Sequence, residues 1–164
     1  MPGHVLHLIL PAPVHRLAYR LAHRLRARWL RWSGHTIHGC SMIARDSAGR
    51  VLLVRHSYGT GLWAFPGGGL NAGEEPLAAA IREFAEELRC AVVDPVHLGT
   101  LEEDYHGALN VARVFGGAIA GEPRPDMREI VAAAFFAVDD LPDGVSRTVA
   151  PRLALLLQAD LEQA

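Results

Sequence analysis

Three glutamates, Glu83, Glu86 and Glu87, stand at spacings of three and four residues, which on a helix gathers them on one face. Like charges so placed repel by roughly a few tenths of a kcal/mol per pair. They also fall near the end of the helix they belong to, where the dipole favours cations. Stability alone does not recommend the arrangement. A hard divalent cation reverses the sign, because Mg2+ takes oxygen ligands and keeps waters and substrate phosphates in its shell. A solvated acidic helix face is the plainer alternative. The chemistry these residue types suggest is metal-assisted work on a phosphate.

The helix that must hold them can be built from its own residues. Pro76 suits the first turn, and Glu74 and Glu75 suit the positive end of the dipole. Leu77, Ile81, Phe84 and Leu88 recur at helical spacing as the packing face. The glutamates then lie roughly opposite that face. Ahead of the helix stand an apolar run, Leu62, Trp63 and Phe65, and a turn built on Pro66 with Gly67, Gly68 and Gly69.

Counted from Gly68, the chain reads Gly, five residues, Glu74, seven residues, then Arg82, Glu83, Phe84, Ala85, Glu86, Glu87, Leu88, Arg89 and Cys90. This resembles the Nudix box, Gx5Ex7REUxEExGU with U apolar, and the lead-in Trp63, Phe65, Pro66 and Gly67 matches as well. Arg89 stands where the family has glycine. Either the arginine takes a left-handed conformation at a cost of roughly 1 kcal/mol, or the helix runs on.

The resemblance implies an α/β/α sandwich around a mixed sheet, over about residues 35 to 160. It also implies hydrolysis of a nucleoside diphosphate linked to another group, by water attack on phosphorus with Mg2+ or Mn2+. In that reading Glu83, Glu86 and Glu87, with the backbone carbonyl of Gly67, hold the cation, while Gly68, Glu74 and Arg82 shape the box. A capping role at the helix start is the plainer expectation for Glu74. The general base is Glu83 or Glu129, with Glu102 and Glu103 as rivals. Arg55 is expected to meet a substrate phosphate, and Tyr58, Trp63 or Tyr105 to stack on a base. Tyr105 occupies the place where relatives that cleave ADP-ribose often carry proline, which speaks against that substrate. A Nudix-fold binding or sensor module is the alternative; the intact set of Glu74, Glu83, Glu86 and Glu87 favours the enzyme.

Composition fits one such domain. The chain has 164 residues, half of them apolar, enough for a single core. It contains no lysine, which excludes a Schiff-base mechanism and a P-loop. Cys40 and Cys90 offer no disulfide framework and read as small buried residues in a reducing, cytoplasmic setting. His4 with His7, and His35 with His38, lack the cysteines or second pair that a zinc site needs.

Charge divides the chain into a leader, residues 1–33, and a domain, residues 34–164. The first 45 residues carry seven arginines and no acid. Residues 3–10 are apolar but too short to span a bilayer, and no convincing signal-peptide flanks accompany them. From Pro13 to Trp32 the pattern is a basic amphipathic helix, with Leu17, Leu21, Leu25, Trp29 and Trp32 on one side and Arg16, Arg20, Arg24, Arg28 and Arg31 beside them. Docking on the domain or on a second copy in a homodimer is the plainest use of that stripe. Reversible contact with an anionic membrane is a second, and a transit peptide, poor in serine, a third. The acidic remainder argues against specific nucleic-acid binding; a small-molecule nucleotide is the expected partner.

Within the domain, residues 35–45 and 51–56 read as strands joined by a turn at Asp46 to Arg50. Residues 91–101 and 108–119 read as antiparallel neighbours joined across Glu102 to Gly107. Residues 121–128 form a loop and 130–138 an apolar strand. Val149, Leu153, Leu156, Leu157 and Leu161 predict a final helix with its apolar side inward.

Overall fold

The computed structural model describes residues 36–163, together with residues 13, 14, 18, 21, 22 and 25 of the leader. Those six leader positions are helical and exposed, Leu21 and Leu25 included. The rest of the expected leader helix, residues 3–10, and the histidines at 4, 7 and 35 lie outside the described residues. No helix among those described is long and apolar enough to cross a membrane.

The elements run β1 (Ile37–Arg45), β2 (Val51–His56), β3 (Trp63–Ala64), β4 (Gly67–Gly69), α1 (Pro76–Leu88), β5 (Ala91–Tyr105), β6 (Ala108–Ala120), β7 (Ile130–Phe136) and α2 (Val149–Gln163). They form a mixed sheet in the order β3-β2-β1-β6-β5, with β4 paired to β1 and β7 to β2. Only the β1–β6 pairing among these is parallel, Ile37 lying opposite Asn110 and Arg45 opposite Ala118.

Period-two alternation along β1 and β2 builds the two layers. Cys40, Met42 and Ala44 with Leu52 and Val54 face α1, meeting Ala79, Ala80, Phe84 and Leu88. Ile43, Val51 and Leu53 face the other way, onto Val149, Leu153 and Leu156 of α2. Each large side chain so buried contributes about 1.5–3 kcal/mol of transfer free energy. The result is the α/β/α sandwich around a mixed sheet that the box implies.

Four details differ from the sequence reading. The glycines 67–69 are not a turn but a short strand against β1. Gly67 has φ +155°, and a Cβ there would collide with the Cys40 carbonyl oxygen, so only glycine lets the backbones approach so closely. Strand β5 runs on to Tyr105, so its hairpin turn to β6 is confined to His106 and Gly107. Ile81 is 41% exposed while Ala79 and Ala80 are buried, because these small residues let α1 sit close to the sheet and turn its packing face towards them. In α2, likewise, Leu157 and Leu161 are exposed. Arg89 closes α1 in the left-handed conformation at φ 53°, its N–H donating to the Ala85 carbonyl. The helix therefore ends where a glycine would have ended it.

Candidate functional site

Rotation of α1 towards its alanines decides the site. Glu87 is not on an outer face with Glu83 and Glu86. It is carried to the edge of the buried side beside Ala80 and Phe84 and is 3% exposed, whereas the Glu86 side chain is 58% exposed and Glu83 half-buried. Glu83, Glu86, Glu129, Gly67, Gly68 and His56 line a cleft of about 590 Å³. A second groove, of about 430 Å³, lies by Arg45, Val96 and Asp160, and of its aspartates Asp160 is paired with Arg45 and Asp46 with Arg50.

Arg82 organises the outer carboxylates. Its Nε and Nη2 donate to the two oxygens of Glu74 at 2.7 and 2.9 Å, and its Nη1 donates to Glu83 at 2.9 Å, with Glu86 at 3.5 Å. This bidentate contact holds the Glu74 carboxyl down at about 2, helped by the Asn71 N–H. Glu74 therefore serves Arg82 and the loop before the helix, not the helix cap: the cap position belongs to Glu75, which makes no side-chain cap bond. Burial raises Glu83 despite Arg82. Gly68 gives Glu83 its space, since a Cβ there would stand 2.7 Å from the carboxylate oxygens.

Around Glu87 the arrangement is different. Both of its oxygens are buried without a hydrogen-bond partner, and the nearest cationic atom is His56 Nε2 at 3.6 Å, beyond hydrogen-bond range. Burial pushes the Glu87 carboxyl up to about 7, against the pull of His56. For His56, burial favours the neutral ring, but the Glu87 charge outweighs it and the net direction is upward. One ligand atom each from His56, Glu87 and Glu129 lies within 4.8 Å of the others, and among the described residues no other such group of three occurs.

The chain builds this corner from three elements. The loop before β7 is tied to the end of α1, with Arg124 N–H on the Leu88 carbonyl and Asp126 N–H on the Glu87 carbonyl. Asp126 then accepts the N–H groups of Arg128, Glu129 and Ile130. Glu129 is thus pinned opposite Glu87. A register shift between Arg55 and His56, which face Ala132 and Ile130 on β7, breaks the ladder at the cleft, as bulges do when they re-aim a side chain. Tyr58 donates to Glu129 at 2.6 Å and packs its ring 5.0 Å from the His56 ring. Burial first, then the Glu129 charge, raises the Tyr58 hydroxyl well above its usual range and keeps it a donor.

Two other sequence expectations fall elsewhere. Arg55 does not line the cleft: its guanidinium lies 4.6 Å over the Trp63 ring, because odd positions of β2 face α2 and even ones face α1. Glu103 does line the cleft, but Arg152 donates to both of its oxygens and to Ser41 Oγ as well; Glu102 is exposed and off the wall. His56, Asp126 and Arg152 were not singled out from the sequence. Alternation along β2 groups His56 with Leu52 and Val54 on the α1 side, a signal that could have found it.

The chemistry of the donors suits a divalent cation. A carboxylate this deeply buried with two orphaned oxygens needs a positive partner, and the neighbouring groups are oxygen and nitrogen ligands. The NUDIX domain model matches residues 37–157 of the chain. The chain is 30% identical over 122 residues to a nucleoside triphosphate pyrophosphatase/Nudix hydrolase fusion protein of Bifidobacterium longum, a match covering 68% of this chain and 25% of that protein. With an RNA pyrophosphohydrolase of Rhodospirillum rubrum it shares 33% identity over 86 residues, 51% of this chain and 52% of the relative. It thus spans between a quarter and about half the length of these curated relatives. Among solved structures, the MutT NUDIX hydrolase from Burkholderia pseudomallei superposes with a TM-score of 0.69 at 28% identity, covering 74% of this chain and 98% of that one.

Proposed function

The chain belongs to the NUDIX family, and from that premise we propose that it is a metal-dependent pyrophosphohydrolase. Its substrate is a nucleoside diphosphate linked to another moiety, cleaved at a phosphoanhydride bond by water attack on phosphorus. The observation that carries this reading is Glu87: a carboxylate held nine-tenths out of water with both oxygens unsatisfied, at a cleft walled by further carboxylates.

In this proposal Glu83, Glu86, Glu87 and the Gly67 carbonyl would hold Mg2+ or Mn2+. Such an ion neutralises a diphosphate and lowers the pKa of water. The protein's own groups do the rest. Arg82 fixes the outer carboxylates, so that Glu83 keeps its aim into the cleft. Glu83 and Glu129 are the two carboxylates on the wall able to take the water's proton, and Tyr58 orients Glu129. Asn110 and Tyr105, farther along the same wall, would meet the nucleoside. Arg55, stacked on Trp63, is left out of the substrate contacts. The two unpaired cysteines accord with a cytoplasmic setting.

The test is release of phosphate or nucleotide from a panel of nucleoside diphosphate derivatives with Mg2+ and with Mn2+. Loss of a mere outer partner of a metal costs about 10- to 100-fold, so Glu87→Gln should cost about 100-fold or more on any substrate that is turned over. Equal turnover by native protein and variant would sink the assignment. A panel left untouched while metal still binds would favour a nucleotide sensor instead.

A further inference from the structure

We infer that His56 is a ligand of the metal, so that the cation is held by a mixed nitrogen and oxygen set, His56 with Glu87 and Glu129, and the site favours a transition ion such as Mn2+ over Mg2+. This rests on the reading of the cleft as a metal-dependent hydrolase site and adds to the oxygen ligands of the box.

The geometry argues against a simple ion pair. At 3.6 Å, His56 Nε2 is too far from Glu87 Oε1 to satisfy it, and the second Glu87 oxygen has no hydrogen-bond partner at all. A single ion would serve all three groups. Bonds of about 2.1 Å put two ligands on opposite sides of an octahedral ion roughly 4.2 Å apart, and the three ligand atoms already lie within 4.8 Å of one another. Only one of the three pairs can stand opposite; neighbouring ligands sit roughly 3.0 Å apart at that bond length, so closing the shell asks about 1 Å or less from each side.

The corner is also built as a ligand site is built. A metal-bound imidazole and carboxylate are commonly fixed by outer partners. Here Tyr58 does both, donating to Glu129 and packing on the imidazole. Backbone bonds complete the frame, with Ser57 N–H on the Glu129 carbonyl at 2.7 Å and the Asp126 carboxylate accepting the Glu129 N–H. The register shift at Arg55/His56 is where β2 leaves its regular pairing with β7.

Two consequences follow. Imidazole is a softer ligand than carboxylate or water and suits transition ions, whereas Mg2+ keeps an oxygen shell; His56 is therefore the residue that sets the metal preference. Glu129 would then act at the cation as well as, or instead of, taking the water's proton, as Glu83 does in the proposed box set.

The test uses the full-length protein loaded with Mn2+ without substrate. Spin-echo EPR should show nitrogen hyperfine modulation on the ion, and His56→Gln should remove it. Calorimetric titration should show Mn2+ affinity falling about tenfold or more in that variant, with Mg2+ affinity changed less than Mn2+ affinity. Absence of nitrogen modulation in the native protein overturns the inference with no variant needed, as does an equal loss for both metals. Hydrolysis of the panel without a nitrogen signal would leave the hydrolase reading standing and remove His56 alone; failure of the native protein to bind either ion would remove both.

Discussion

Glu103 and Glu87 are both withdrawn from water at one cleft, yet Glu103 has the Arg152 guanidinium across its two oxygens, whereas Glu87 has no hydrogen bond and one histidine nitrogen at 3.6 Å. Arg152 is itself buried and bonded on all sides, to Ser41 Oγ and the Thr148 carbonyl besides Glu103. The Glu103 pair closes its electrostatics inside the protein and ties α2 to β1 and β5. The Glu87 corner leaves its carboxyl unsatisfied, for something outside the chain to complete. One of these acids belongs to the fold, the other to the function.

Removing Arg152 should bring Glu103 to the condition of Glu87 and break the contrast. Arg152→Met leaves the largely buried Glu103 carboxylate, 16% exposed, with only the Asn110 amide beside it, and the loss should approach the lower end of what breaking a buried pair costs, about 3–5 kcal/mol. Urea denaturation of the full chain checks this; a loss below about 1 kcal/mol would place the pair among weak surface bridges instead.

Protons sharpen the contrast from the other side. A carboxyl held near 7 when folded and 4.5 otherwise binds its proton more tightly in the folded state. That contribution is complete below about 4.5 and is lost as pH rises through about 7, a change of roughly 3 kcal/mol for a group so buried. His56, also raised, acts in the same direction. Metal-free protein should therefore unfold at lower temperature as pH climbs across this window, and Glu87→Gln should flatten the profile. A native profile that rises with pH would mean that Glu87 is charged and satisfied.

The smallest expected effect separates strain from charge at the same helix end. Arg89 occupies the left-handed region two residues from Glu87, so Arg89→Gly should stabilise by about 1 kcal/mol without altering metal binding. Unfolding midpoints with and without Mn2+ decide it; a change in metal affinity would tie the cap to the site.

How much of this was legible follows from the range of each interaction. The box spacing, the start of α1 at Pro76 and the β1, β2 and β6 strands lie in local pattern, and the sequence carries them. The burial of Glu87 does not, because the helix face was judged from large apolar residues, while Ala79 and Ala80 set how α1 turns onto the sheet. Glycines 67–69 look like a turn until β1 supplies a partner strand. Glu103 with Arg152, and Glu129 with Tyr58, are joined across 49 and 71 residues, and no local signal pairs them. His56 was half legible: alternation along β2 puts it on the α1 side with Leu52 and Val54, but its meeting with Glu129 at the register shift needs the pairing with β7.

The most direct test of the central claim is calorimetric titration of Mg2+ and Mn2+ into the metal-free native protein and into Glu87→Gln, with folding of both checked by circular dichroism. The account predicts binding to the native protein and at least about tenfold weaker binding to the variant, although the variant is equally or more stable without metal. Equal affinity in the two proteins would contradict it, because the unpaired carboxylate would then not be what the cation completes.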